Sequence, residues 1–156
     1  MLIRSSVIAL ILACLGLGCA VYNARAARDF LTENALRPEV RARESGLQYE
    51  ILEPGDGCQP EPGSTVVVHY ETRVLGRAKP IDSSYERRVP GTYPLDKMIP
   101  GWSEGIPLMR EGAKWRLFVP PDLAYGERSQ RKIGPNRLMI FVVELIEAKK
   151  CRRDAV

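Results

Sequence analysis

The chain of 156 residues holds one histidine, His69, inside the run Val66-Val-Val-His69, and four cysteines that are not spaced as metal ligands. A zinc set needs three or four Cys, His or carboxylate groups at short, characteristic spacings. No metal site is therefore expected, and a lone histidine in a Val-rich strand reads as a packed, hydrogen-bonded residue. Ser83 or Ser84 with His69 and Asp82 supplies the residue types of a hydrolase triad. That chemistry also needs a sharp turn presenting the serine and donors for an oxyanion, and neither pattern is present. Gly55-Asp-Gly57 is a turn with no helix signal behind it, so it does not read as a phosphate cradle.

What remains is a concentration of aromatic side chains and isolated polar groups at the ends of strand patterns: Tyr70, Asp82, Tyr93, Trp102, Tyr125 and Phe141. By residue type alone these fit an ordinary aromatic core as well as they fit a site.

The elements that must position them are legible from periodicity. Leu47, Tyr49 and Ile51 alternate with Gln48 and Glu50, the period of a half-buried strand, and Pro54-Gly-Asp-Gly57 closes it. Residues 65–74 are β-branched and aromatic, a second strand. A third is expected around Arg77 to Asp82, disturbed by Pro80. Residues 113–119 and 138–148 complete the set, the last alternating Met139, Phe141, Val143 and Leu145 against Ile140, Val142, Glu144 and Ile146. Between them, Pro100-Gly-Trp-Ser-Glu-Gly-Ile-Pro-Leu-Met109 places Trp102, Ile106 and Met109 on one face of a short helix, which Pro107 should shorten or bend. The expected fold is α+β: an antiparallel five-stranded sheet wrapped around one short helix.

The N-terminus reads differently. Arg4 precedes an uninterrupted apolar run over residues 7–21, short for a comfortable transmembrane helix and typical of an export signal. Residues 1–26 therefore have three possible fates: cleavage after Ala24-Arg25-Ala26, lipidation at Cys19 after Leu17-Gly18, or retention as a membrane anchor. Residues 27–44 read as a short, exposed helical linker interrupted at Arg37-Pro38, with the domain over residues 45–149 and a basic tail over 150–156. In an oxidising compartment Cys58 and Cys151 could pair, or stand as two unrelated thiols. A bridge would tie the loop before one strand to the end of the last. The formal charge of +4 is spread over both flanks with acidic residues interspersed, which gives no nucleic-acid stripe and suits a solvated surface near anionic lipid.

Order and local sequence add a resemblance. Val68-His-Tyr70, Ile81-Asp-Ser-Ser-Tyr85, Met98-Ile-Pro-Gly-Trp102, Glu111-Gly112, Pro121-Asp-Leu-Ala-Tyr-Gly126 and Phe141-Val-Val-Glu-Leu145 together resemble the FKBP-type peptidyl-prolyl isomerases, in unbroken order over residues 45–149. Phe30-Leu-Thr-Glu-Asn-Ala35 followed by Ser45-Gly-Leu-Gln-Tyr49 is similar to the exported bacterial branch, the macrophage infectivity potentiator relatives.

The resemblance implies a cofactor-free enzyme that rotates X-Pro bonds in proteins folding in the periplasm or cell envelope. Its partners would be proline-containing polypeptides and macrolide inhibitors. It implies Trp102 as the floor of the site, Tyr70, Phe141 and Ile99 as walls, and the Ile99 backbone N–H as a donor to substrate. Asp82 would be the pocket's ionisable group, oriented by Tyr70 and Arg87, and Tyr125 would donate its hydroxyl. Ile81, Arg87 and Met98 would help bind substrate. Only some twenty residues separate the leader from Ser45, so a monomer is expected. Three departures stand out: Ile81 where the family has Phe, Thr72 in place of a glycine, and Gly91 about where a further aromatic is found. The loop over residues 126–135 is also unusually basic. Losing one aromatic wall removes about 1 to 2 kcal/mol of apolar contact, roughly a tenfold change in rate. These departures motivate an alternative, a non-catalytic chaperone or docking module using the same apolar groove.

Overall fold

The computed structural model describes the backbone of residues 3–128 and 132–152, with side chains from Gly18 onward. The side chains of the leader up to Leu17, residues 129–131 of the basic loop and residues 153–156 of the tail lie outside the described residues.

The chain begins with one long helix, α1 (Ile3–Asn34). Its second half is not an exposed linker. Ala27 is buried, Phe30 packs on Phe118 with ring centroids 5.7 Å apart, and the buried Asn34 amide donates to Gln48 Oε1 at 2.8 Å. The helix stops short of Pro38, and β1 (Val40–Ala42) then pairs antiparallel with β2 (Gln48–Glu53), Val40 opposite Glu50. The strand at Val40 comes from backbone pairing with an open sheet edge, which no local propensity encodes.

A two-residue strand, β3 (Gln59–Pro60), precedes β4 (Thr65–Val74), whose burial alternates along its length, with Val66, Val68, Tyr70, Thr72 and Val74 inside. The expected strand around residues 77–82 shrinks to β5 (Asp82–Ser83), because Gly76 and Pro80 hold the preceding residues in turns. A one-turn helix, α2 (Ser84–Arg87), follows, capped by the Ser83 side chain on the Glu86 N–H. Next comes β6 (Gly91–Pro94), a strand that the sequence did not suggest between two prolines.

The helix at Trp102 is α3 (Pro100–Gly105), with Pro100 at its first position. At Ile106–Leu108 it tightens into a 3-10 turn, where Pro107 ends regular pairing. It lies against β7 (Lys114–Val119) at close range: a Cβ built on Gly101 would stand 2.4 Å from Val119 Cγ1. Glycine at 101 is thus what lets the helix seat Trp102 so near the sheet.

The last long strand is β8 (Met139–Ala148), with Met139, Phe141, Val143 and Leu145 inside as the alternation predicts. A bulge opposite Val67 and Val68 breaks the period and leaves both Ile146 and Glu147 exposed. The closing strand, β9 (Cys151–Arg152), pairs with β3. The main sheet runs β1-β2-β7-β8-β4-β5, with β6 also on β4, and every pairing is antiparallel. Its inner face and α3 enclose one core cluster that includes Leu47, Val68, Ile106, Leu117, Val143 and Leu145. Two strands beyond the five expected complete this sheet.

Candidate active site

Tyr70 and Phe141 face inward from the neighbouring strands β4 and β8, each by the two-residue alternation that buries its strand's apolar side. Trp102 rises from α3 between them and is 2% exposed. It meets Tyr70, Tyr93 and Phe141 edge-on, with centroid distances of 5.5, 5.6 and 5.6 Å and interplanar angles of 80°, 88° and 77°. Edge-to-face packing is the favoured aromatic geometry, and three such contacts fix the indole plane as a floor. Its Nε1 has no hydrogen-bond partner among the described residues.

Above this floor lies a cavity of about 150 Å³ lined by Tyr70, Thr72, Ile81, Asp82, Tyr93, Met98, Ile99, Trp102, Tyr125 and Phe141. Of the residues expected from the sequence, all but Arg87 line it. Arg87 stands just outside and reaches in through hydrogen bonds. Tyr93 and Thr72 complete the lining. The sequence marks Tyr93 as an aromatic and assigns it no role. The signal for it was Gly91, because a Cβ there would fall 2.2 Å from Tyr93 Cε2. The Tyr93 ring occupies the room that an aromatic at position 91 would need.

One polar network crosses the wall. The Tyr70 hydroxyl donates to Asp82 Oδ2 at 2.6 Å, the Tyr93 hydroxyl lies 3.2 Å from that of Tyr70, and Arg87 donates to Tyr70 Oη at 2.9 Å and to Asp82 Oδ1. Local structure makes this inevitable: Asp82 sits opposite Thr72 in the β4–β5 register, and α2 turns Arg87 back over it. Burial opposes ionisation of Asp82, but the bonds from Tyr70 and Arg87 and the guanidinium charge outweigh it and hold the carboxyl below its ordinary range. Burial, then the bond to Asp82, pushes the Tyr70 phenol well up. Burial and the Asp82 charge raise Tyr125. At neutral pH the pocket therefore presents one fixed carboxylate against the neutral phenols of Tyr70 and Tyr125.

The Ile99 N–H, at the start of α3, has no backbone partner among the described residues, while its carbonyl accepts from Trp102 N at 2.9 Å and Ser103 N at 3.1 Å. An open donor beside an apolar cavity suits a substrate carbonyl.

The triad reading fails on geometry. Ser84 is wholly buried; its hydroxyl lies 2.9 Å from His69 Nδ1 but accepts from Tyr70 N and donates to Tyr70 O. Asp82 serves Tyr70 on the other face of β4. No substrate could reach that serine. Cys58 and Cys151 form a disulfide with Cα atoms 5.7 Å apart, joining the neighbourhood of β3 to β9. Cys19 is a free, exposed thiol.

A sheet wrapped around one short helix, with an aromatic box floored by that helix's tryptophan, defines the FKBP-like class of fold. Residues 57–146, more than half of the chain, match the family described as FKBP-type peptidyl-prolyl cis-trans isomerase. Residues 19–51 match the domain amino-terminal to it. The chain belongs to this family. It is 45% identical over 129 residues to the peptidyl-prolyl cis-trans isomerase Mip of Coxiella burnetii (strain RSA 493 / Nine Mile phase I), covering 82% of this chain and 56% of that protein. It is 43% identical over 122 residues to the outer membrane protein MIP of Legionella longbeachae, covering 78% of this chain and 52% of that one. The crystal structure of FkpA from Escherichia coli superposes with a TM-score of 0.84 at 31% identity, over 96% of this chain and 73% of that chain. The chain thus spans about half the length of the two relatives compared by sequence.

Proposed function

We propose that the chain is a peptidyl-prolyl cis-trans isomerase acting on proteins that fold outside the cytoplasm. One observation carries the reading: an aromatic box on Trp102, sized for a small apolar ring, with a single carboxylate pinned at its wall. Rotation about an X-Pro bond crosses a barrier of about 18 to 20 kcal/mol because resonance keeps the amide planar. Twisting the bond removes that resonance and with it charge on the carbonyl oxygen. An apolar pocket therefore suits the twisted amide better than water does, and no bond to the protein need form. Trp102 supports the prolyl ring, Tyr70, Phe141, Ile81 and Met98 wall it, and the Ile99 N–H holds a substrate carbonyl. Tyr125 donates its hydroxyl to the bound peptide. The same box is the seat for macrolide inhibitors.

Thr72 and Ile81 on the lining support a second reading, a groove that holds proline segments with little turnover. Refolding of a protein limited by a proline step separates the two. The first reading predicts that the slow phase, ordinarily about 10 to 100 s, shortens with catalytic amounts of the chain. The second predicts reduced aggregation with no change in that phase.

Export belongs to the proposal and is supported by the leader pattern. Lipid attachment at Cys19, or retention as an anchor, leaves the docked half of α1 intact, whereas cleavage after Ala26 removes Asn23, which is buried and bonded to Pro135 O.

A further inference from the structure

Helix α1 is joined to the segment beside the pocket by two side-chain hydrogen bonds. The Asn23 amide, 7% exposed, donates to Pro135 O at 2.9 Å, and the Asn136 amide donates back to Ala20 O at 3.5 Å. These two asparagines clasp the helix to the segment that returns from the pocket. Asn136 lies at φ 51°, in the left-handed region that asparagine tolerates better than most residues. That turn points its backbone N–H at Gly126 O, 2.7 Å away. Gly126 follows Tyr125 directly, and its own N–H is held by Pro121 O at 2.8 Å. The residue next to Tyr125 is thus held at both its N–H and its carbonyl, and the carbonyl's bond leads through Asn136 to α1.

We infer that Asn23 and Asn136 are positioning residues for the site: through the Asn136 N–H on Gly126 they hold the Tyr125 ring over the cavity, which makes residues 20–23 of the leader region part of the catalytic unit. The inference rests on the isomerase reading for its kinetic consequence but not for its geometry. Neither asparagine lines the pocket, so they act only through Tyr125. Small misplacements of a group that touches substrate carry large kinetic penalties.

The test uses the full chain in mild detergent, with Asn23→Ala, which a helix accepts readily, and Asn136→Gly, which keeps the left-handed backbone and removes only the side-chain donor. Each is made alone and combined with Tyr125→Phe, and each carries 3-fluorotyrosine for fluorine NMR. The expected result is a fall in kcat/KM of about fivefold, borne mostly by KM. That fall should vanish in the Tyr125→Phe background, with a shifted or broadened Tyr125 resonance in the single variants. Unchanged kcat/KM with an unmoved Tyr125 resonance would overturn the inference, as would losses that multiply undiminished with Tyr125→Phe. If the parent chain shows no turnover, the isomerase reading fails on its own, and the fluorine resonance still decides the clasp: a shift supports it and an unmoved signal rejects it.

Discussion

The Tyr93 ring lies where a side chain on Gly91 would have to be: a Cβ built there would stand 2.2 Å from Tyr93 Cε2 and 2.4 Å from its hydroxyl oxygen. The ring is also held edge-on by Tyr70 at 5.8 Å and Trp102 at 5.6 Å, so it has little freedom to withdraw. Gly91→Ala should therefore push Tyr93 off the wall, costing about 1 to 3 kcal/mol in overpacking. We expect a lower Tm and a several-fold rise in KM for X-Pro peptides. An unchanged Tm and KM would mean that Tyr93 is not confined as described.

Tyr93→Phe separates the ring from its hydroxyl. The variant keeps the edge contacts and loses the bond to Tyr70 Oη, 3.2 Å long in the parent. A neutral hydrogen bond of this kind contributes about 0.5 to 1.5 kcal/mol, so kcat/KM should fall less than tenfold and Trp102 fluorescence should barely move. A larger loss would make the Tyr93 hydroxyl a direct substrate contact.

Asp82 sets the acid behaviour of the pocket. Its folded pKa is depressed relative to the unfolded chain, so its ionised form contributes stability above the ordinary carboxylate value, and that contribution is lost as pH falls through the folded pKa. The Tm advantage of the parent over Asp82→Asn should hold steady between about pH 5 and pH 8 and shrink only in more acid solution. The raised phenols of Tyr70 and Tyr125 give no titration of their own in that window. A Tm difference that grew on acidification would contradict the Tyr70–Asp82–Arg87 network.

Reduction should act on stability more than on the site. The Cys58–Cys151 bridge closes a span of 93 residues, and constraining a long loop stabilises by about 2 to 4 kcal/mol. For a chain of this size that is a Tm shift on the order of 10 °C. Thermal unfolding with and without reductant measures it. Indistinguishable curves would mean that the bridge does not hold the two-stranded corner of β3 and β9 in place.

Where local chemistry decides an element, the sequence showed it. Met139 to Leu145 alternate because one face of β8 is core, and Pro107 ends the regular helix because it has no N–H to give. The misread elements depend on partners distant in sequence. Val40–Ala42 is a strand because Gln48–Glu50 offers an open edge, and Gly91–Pro94 is one because Val66–Val68 lies beside it. The pocket followed the same rule. Trp102, Tyr70 and Phe141 could be named as aromatics at element ends, but their edge-on box requires the β4–β8 pairing and the close seat that Gly101 gives α3. Tyr93 is legible in the sequence only as an aromatic, because its role depends on its ring lying over Gly91.

The most direct test is cis-to-trans conversion of a set of X-Pro peptides by the purified chain beside its Asp82→Ala variant, with the thermal rate subtracted and both proteins shown to be folded. The account predicts clear acceleration by the parent and a loss of about tenfold or more in the variant. Folded parent protein converting peptides no faster than buffer would contradict it, and would leave the aromatic box as a binding groove.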